Sequence, residues 1–344
     1  MLVVNYHEIS AGSASRHRYA LSREAFEAQL GVLIDAGFSF GTLGELLDAP
    51  AGDDSRRCAI TFDDGRLGAY DPGLAILAER AIKATYFLCS DWLDKRHVPP
   101  REAYSDFMTW DHAADVARHG HLIGSHGKRH RAFFYMDRQS AVEEVTESKR
   151  LIEQRLGVSC EHFASPWGQI DRAVMNLVQA SGYTSLASTV RGANKAPYNR
   201  FRLRRLDGAD FDEIPRFSSA ICGYVDAHSR FEIGMLRVRG SVDRSWPEIE
   251  DIARVDVVVC LDEASYELCL EAGIPCLRPP VRPAPSVERL GDWLLNDHRE
   301  LVQDRTMTFT PLSLRGPGWP WKYLSSFRPG MSRGRSATRI STGQ

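Results

Sequence analysis

The 344-residue sequence lacks three features that would each assign it to a broad class. No apolar run approaches the ~20 residues that a membrane-spanning helix needs. The charges balance, with 43 Lys and Arg against 45 Asp and Glu, so no net field favours nucleic acid as a partner. Seven cysteines are present without any Cys-x-x-Cys pair, a pattern typical of buried free thiols in a reducing compartment.

The sequence also opens without a targeting signal. A strand-like apolar run begins at once, with no basic region, apolar core or small-residue cleavage site of a signal peptide. We therefore expect a cytoplasmic protein. The length is sufficient for a large core and two domains. The sequence leaves open whether the chain forms a homo-oligomer.

Two short motifs contain side chains that could bind a metal ion or transfer a proton. Residues 59–65 read as a short buried strand that ends in Asp63, Asp64 and a glycine, where the chain can turn sharply. Because successive side chains of a strand point to opposite faces, the two carboxylates need not perform the same task. In the second motif, His126 and His130 are four residues apart, so both imidazoles would face one ion if the stretch were helical.

Together these side chains have the composition of a catalytic metal site. A catalytic zinc takes three N or O protein ligands at roughly 2.0–2.2 Å and keeps a position open for water. Asp64, His126 and His130 would supply those ligands, and Asp63 would take the proton of the water as general base. The motifs therefore predict metal-assisted hydrolysis with a divalent metal, Zn²⁺ being favoured. Taken singly, each motif is more often a turn or a solvated helix face.

Several motifs in sequence order make residues 1–215 resemble the polysaccharide deacetylase family, carbohydrate esterase family four. The motifs are an opening strand at 3–9, Thr-Phe-Asp-Asp-Gly at 61–65, a strand at 84–88, Gly-His-Leu-Ile-Gly-Ser-His at 120–126 followed by His130, and Phe-Ala-Ser-Pro-Trp-Gly at 163–168. The resemblance implies an α/β fold, a distorted (β/α) barrel with its site at the carboxyl ends of the strands. It implies the same site roles and the removal of an acetyl group from an N-acetylated sugar or oligosaccharide.

The chain departs from the family pattern at two places that bear on catalysis. Many members carry an arginine in the third motif that orients the base, whereas Ala164 and Ser165 occupy that region here. Arg205, near the end of a later strand, is the candidate replacement, and a solvated arginine is the other interpretation. Many members also have a late Leu-x-His that supplies the general acid, and none occurs between residues 170 and 220. His228 is a candidate acid, with a surface histidine as the other interpretation.

Three residues are candidates for the substrate pocket. His7 ends the first strand, and Pro166 and Trp167 belong to the third motif. An aromatic face suits the apolar face of a sugar, although buried packing is the other interpretation of Trp167. In a cytoplasmic protein the sugar would belong to a precursor, such as a short oligosaccharide or a lipid-linked or nucleotide-linked sugar.

The second half of the sequence has a β-α-β-α order, which implies a small parallel sheet. Its predicted elements are strands at 231–238, 255–260 and 276–280 and helices at 247–253, 263–272 and 287–301. This part resembles the carboxyl-terminal part of two-domain glycosyltransferases, whose other half is absent. We expect three segments: a deacetylase-like domain at 1–218, a small Rossmann-like α/β domain at 219–312, and coil with a disordered basic tail at 313–344.

Three functional interpretations follow. The first is a metal-dependent N-deacetylase, the second a deformylase or amidase that acts on another small C–N substrate, and the third a metal-holding binding protein without turnover. The missing arginine and the missing late histidine favour the third. The complete set of Asp63, Asp64, His126 and His130 argues against it.

Overall fold

A computed structural model describes residues 1–10, 18–50, 54–99, 106–211, 213–228, 230–236, 254–278, 293–294, 297–298, 306–312 and 325–327. The chain divides into two compact units. The first consists of Met1–Ile170 and Val174–Val225, and the second consists of Asp171–Ala173 and Asp226–Gln344. Each unit is described by itself.

Strands and helices alternate along the first 228 residues. The strands are β1 (Leu2–Tyr6), β2 (Glu8–Ser10), β3 (Ala20–Ser22), β4 (Ser39–Phe40), β5 (Arg57–Phe62), β6 (Ala84–Leu88), β7 (Leu122–Ser125), β8 (His162–Ala164), β9 (Ser185–Ala187) and β10 (Leu206–Asp207). The helices are α1 (Arg23–Asp35), α2 (Leu43–Asp48), α3 (Leu67–Tyr70), α4 (Gly73–Glu79), α5 (Trp110–Arg118), α6 (Arg138–Leu156), α7 (Arg172–Ala180) and α8 (Ile214–His228). Helix α8 continues through the domain boundary that the sequence predicts after residue 218.

The main sheet of the first unit has eight strands, in the order β10-β1-β5-β6-β7-β8-β9, with β4 also paired to β5. Every adjacent pair is parallel. Parallel strands joined by helices are covered on both faces, which is why β1 and β6 are buried along their whole length. The sheet curls into a half-barrel, so the predicted α/β class and distorted (β/α) barrel are confirmed.

The segment between β9 and β10 lies where the two edges of the curled sheet approach each other. Leu203 forms a parallel bridge with Ala187, the last residue of β9. The backbone N–H of Arg205 then donates to the carbonyl of Val190 at 2.9 Å. Strand β10 follows directly and pairs with β1. Arg205 therefore belongs to the segment that joins the two edges of the sheet, and it reaches the inside of the barrel from there.

The inner face of the sheet changes from apolar to polar toward the carboxyl ends of the strands. Val3 and Ala59 are register partners and belong to a buried apolar cluster. Two residues further along, Asn5 is paired with Thr61, whose hydroxyl lies 3.1 Å from the Asn5 side-chain oxygen. Because strand side chains repeat with period 2, the next residue on this face after Thr61 is Asp63. The barrel interior therefore has an apolar floor, a polar layer and a carboxylate at its mouth.

The second unit contains a separate sheet of five strands. Its elements are β11 (Arg230–Leu236), β12 (Val257–Cys260), helix α9 (Glu263–Glu271), β13 (Cys276–Leu277), β14 (Thr306–Leu312) and β15 (Ser325–Phe327). The order is β13-β12-β11-β14-β15, with the first four strands parallel and β15 antiparallel to β14. The predicted small parallel α/β segment is confirmed.

Several predictions for this half lie outside the described residues. The predicted helix at 247–253 lies wholly outside them, and the predicted helix at 287–301 lies largely outside them. Of the segment 313–344, predicted as coil and tail, only Ser325–Phe327 is described, and it forms strand β15. No helix among the described residues has both the length and the apolar character needed to span a membrane.

Candidate active site

The two predicted carboxylates follow β5 directly, and both are buried. The backbone N–H of Asp63 donates to the carbonyl of Tyr6 at 2.9 Å, which continues the β1–β5 ladder by one residue. Asp64 leaves the strand with a φ of 72°, and Gly65 follows with a φ of 76°. In a regular strand Asp64 would point away from Asp63. The left-handed turn therefore allows both carboxylates to share the mouth of the barrel.

Arg205 forms a two-point ion pair with Asp63. Its Nη1 and Nη2 each donate to one carboxylate oxygen of Asp63 at 2.7 Å. The guanidinium is 1% exposed and is also held by the Asn5 side-chain oxygen and the Ser188 carbonyl. Burial by itself raises the pKa of Asp63, but the charge of Arg205 outweighs it and holds that pKa below its ordinary value. Asp63 is therefore ionised at neutral pH.

His126 follows β7 and is fixed through both its backbone and its ring. Its N–H donates to the Leu88 carbonyl at 2.9 Å. Its Nδ1 lies 2.8 Å from the carbonyl of Ala164, and since a carbonyl can only accept, Nδ1 carries the proton. In the neutral ring Nε2 then has a free lone pair. That atom lies 3.6 Å from Oδ1 of Asp64 and 3.8 Å from Oδ2 of Asp63.

His130 reaches the site from a loop, not from a helix. Residues 126–132 form no helix, and His130 has a φ of 55°. The buried carboxylate of Glu144 on α6 accepts the backbone N–H of Arg129 at 2.6 Å and is 3.4 Å from that of Arg131. These contacts hold the chain on both sides of His130, whose Nε2 lies 3.5 Å from Oδ1 of Asp64. Burial lowers the pKa of His130 to about 3, so the ring is neutral.

Asp64, His126 and His130 fit a metal ion. Their ligand atoms all lie within 4.8 Å of one another, and no other such group occurs within the described part of the chain. Oδ1 of Asp64 is buried and accepts no hydrogen bond from the described residues. Tetrahedral ligands at zinc distances are separated by about 3.4 Å, close to the 3.5 and 3.6 Å between Oδ1 and the two Nε2 atoms. An acceptor without a donor that faces the Nε2 atoms of two imidazoles is a site suited to a cation.

His7 directly follows β1 (Leu2–Tyr6). Its Nδ1 lies 3.9 Å from Oδ2 of Asp207, the last residue of β10, and its ring stacks on Tyr19 at 4.8 Å.

Trp167 lies beside the imidazole of His130. The two ring centroids are 5.4 Å apart, and 51% of Trp167 is exposed. Trp167 has a φ of 63° inside a short turn, Pro166–Gly168, in which Pro166 is buried. His228 is buried at the carboxyl end of α8 and belongs to the second unit. The structure therefore places Trp167 beside a proposed metal ligand in the first unit.

Sequence reasoning missed three side chains that support the site. Arg66 donates from Nε to Oδ2 of Asp64 at 3.0 Å, Glu144 holds the histidine loop, and Asp207 faces His7. Arg66 follows the aspartate motif closely, so its position was a usable signal. Glu144 and Asp207 approach from distant elements, and neither lies in a motif.

The fold and the site together define a class: an α/β half-barrel with a metal-type cluster and a second carboxylate at the carboxyl ends of its strands. Residues 51–186 match the family described as polysaccharide deacetylase. The predicted resemblance to this family is confirmed for that part of the chain.

Individual relatives agree with this assignment. The chain is 25% identical over 207 residues to YxkH of Bacillus subtilis, named among the polysaccharide deacetylases, across 59% of this chain and 70% of YxkH. It is similar to the structure of the deacetylase PplD of Streptococcus pyogenes in complex with acetate (TM-score 0.52, 18% identity, 60% of this chain and 91% of PplD). It is also similar to a polysaccharide deacetylase of Bacillus cereus (TM-score 0.53, 20% identity, 64% of this chain and 68% of that chain). At these identities the structural likeness shows the fold.

Proposed function

We propose that this protein is a metal-dependent hydrolase that removes the acetyl group from an N-acetylated amino sugar, with Zn²⁺ as its metal. The family supports deacetylation of an acetylated sugar. The observation that carries metal dependence is the buried Oδ1 of Asp64. It has no hydrogen-bond donor among the described residues, and it faces Nε2 of both His126 and His130.

A divalent metal bound by these three residues would supply Lewis-acid chemistry, polarising the acetyl carbonyl and lowering the pKa of water. Asp63 would act as the general base, because it is ionised and lies 3.8 Å from His126 without being needed as a ligand. Arg205 would hold the plane of that carboxylate through its two hydrogen bonds. A general base held in one orientation is more effective than a mobile one, because its oxygen lies where the water must lose its proton.

We assign protonation of the leaving amine to His7. When the C–N bond breaks, the amine nitrogen needs a proton, and an imidazole is the side chain best suited to supply one near neutral pH. His7 directly follows β1, the strand next to β5, and Asp207 faces its Nδ1, which would orient the ring. We favour His7 over His228 because it follows the strand whose Tyr6 carbonyl accepts the N–H of Asp63.

Trp167 and Pro166 are proposed to line the sugar subsite. The half-exposed indole of Trp167 lies against the ring of His130, so a sugar stacked on it would lie beside the proposed metal ligands. Buried Pro166 would shape the turn that presents the indole. The carrier of the sugar, and the cytoplasmic location that suggested a precursor, stay predictions from sequence.

The test is acetate release from a panel of N-acetylhexosamines: free oligosaccharides, nucleotide-linked sugars and lipid-linked sugars. Each is assayed with added Zn²⁺ and with a chelator. We expect chelator-sensitive acetate release, with one class of carrier clearly preferred. Formate or ammonia in place of acetate would favour a deformylase or amidase. No product from protein shown to hold metal would favour a binding role.

A further inference from the structure

The two oxygens of the Asp64 carboxylate have different surroundings. Oδ2 accepts a hydrogen bond from Nε of Arg66 at 3.0 Å. Oδ1 is buried, accepts no hydrogen bond from the described residues, and faces the imidazoles of His126 and His130. One oxygen is thus occupied by an arginine, and the other is available to a cation.

Arg66 is fixed from several sides. It is 1% exposed, and its guanidinium carbon lies 5.3 Å from the centre of the Phe107 ring. The backbone beside it is also fixed, because the Leu67 N–H donates to the Asp106 carbonyl at 2.8 Å and the Met108 N–H donates to the Gly65 carbonyl at 2.9 Å. A buried guanidinium that packs on an aromatic ring and extends from a fixed backbone has little freedom to leave Oδ2.

We propose that Arg66 is a positioning residue for the metal: by occupying Oδ2 of Asp64, it presents Oδ1 alone to the ion. This inference rests on the proposed function. A carboxylate that can rotate is able to chelate with both oxygens, which would take a coordination position that water or substrate needs. Partners that orient a ligand typically change metal affinity or activity by 10–100-fold when they are removed.

The charge of Arg66 does not prevent cation binding at the site. Nη1 of Arg66 lies 3.8 Å from Oε2 of Glu8, so one arginine faces two carboxylates. The neighbouring Asp63 is neutralised by its own partner, Arg205. These three carboxylates and two arginines therefore carry one net negative charge, which attracts a cation. The role of Arg66 is to orient the Asp64 carboxylate.

The experiment measures metal binding, not turnover. Arg66→Gln removes the charge, and Arg66→Lys keeps the charge but loses the directed Nε–H. Arg80→Gln is the matched control, because Arg80 pairs with Glu27 and Glu79 away from the site. For each purified full-length variant, the Zn²⁺ Kd is measured by competition with a chelating indicator, and the visible spectrum is recorded after Co²⁺ loading. Thermal melts without metal report folding.

We expect Arg66→Gln to let Asp64 bind through both oxygens, which would change the Co²⁺ spectrum that reports the ligand geometry and shift the Zn²⁺ Kd by about 10–100-fold. Arg66→Lys should have a smaller effect in the same direction, and Arg80→Gln should match the wild type. If Arg66→Gln does not fold, Arg66→Lys is the variant that tests the proposal. An unchanged spectrum and Kd in Arg66→Lys would overturn it. An unchanged spectrum and Kd in folded Arg66→Gln would also overturn it. A wild-type protein that binds neither metal would instead overturn the proposed function.

Discussion

Arg205 and Asp63 form a buried ion pair in which two guanidinium nitrogens each lie 2.7 Å from one carboxylate oxygen. A lysine cannot reproduce two parallel hydrogen bonds. We therefore expect Arg205→Lys to reduce kcat by about 10-fold or more, because the base loses its orientation, while the Zn²⁺ Kd stays close to that of the wild type. Steady-state kinetics and metal titration measure the two quantities. Arg204→Lys is the neighbouring control, and an equal loss in both variants would contradict an orienting role.

Substitution of Asp63 and His126 should separate the base from the ligands. Asp63→Asn removes the general base, and we expect turnover to fall by roughly 10²–10⁴-fold with metal still bound. His126→Ala removes a ligand, so both metal and turnover should be lost. Metal analysis of the purified variants, followed by acetate release, provides the comparison. Full activity of Asp63→Asn would rule out the proposed mechanism.

His7→Gln tests the assignment of the acid. A poor amine leaving group needs a proton, whereas the phenolate of an activated aryl acetate leaves without one. We expect the variant to lose roughly 10²-fold in kcat for the amide substrate and much less for 4-nitrophenyl acetate. His228→Gln is the matched histidine control. A similar loss on both substrates in His7→Gln would indicate a role in binding or folding.

His121 makes stability depend on pH. Burial lowers its pKa to about 4, and its Nδ1 accepts the N–H of Ala84 at 3.0 Å. The unfolded chain, with a pKa near ~6.5, binds more protons below that pH, so stability should fall as the pH drops from about 6.5 toward 4. The expected contribution is roughly 1–3 kcal/mol. Urea unfolding of wild type and His121→Asn at pH 7 and 4.5 measures it, with the exposed His119→Asn as control. Equal pH sensitivity in wild type and His121→Asn would refute the assignment.

The sequence predicted the parts of the site that are local in the chain. Asp63 and Asp64 are adjacent, and a strand followed by a glycine indicates that both stand at a carboxyl edge. The spacing of His126 and His130 indicated a pair that the structure does bring together, but by a helical argument that the structure does not bear out. The loop brings the two imidazoles together through the left-handed Gly127 and His130, and side-chain periodicity carries no information about such a conformation.

The rest depended on contacts that join distant parts of the chain. Arg205 lies 142 residues from Asp63, and a sequence alone does not distinguish a buried arginine from a solvated one. The predicted distorted (β/α) barrel followed from family motifs, whereas the placement of Arg205 depends on how the segment between β9 and β10 folds. Nothing in the sequence indicated the role of Glu144. Which backbone N–H groups its carboxylate accepts depends on where its helix packs.

Two of the three proposed ligands, Asp64 and His130, have left-handed backbones, with φ values of 72° and 55°. For residues other than glycine this conformation costs on the order of 1 kcal/mol or more. A library selected only for resistance to heat or protease should therefore enrich glycine or asparagine at both positions. A library selected for acetate release should retain the aspartate and the histidine. Comparing the two libraries would show at which positions the chain has lower folding stability in return for catalytic activity.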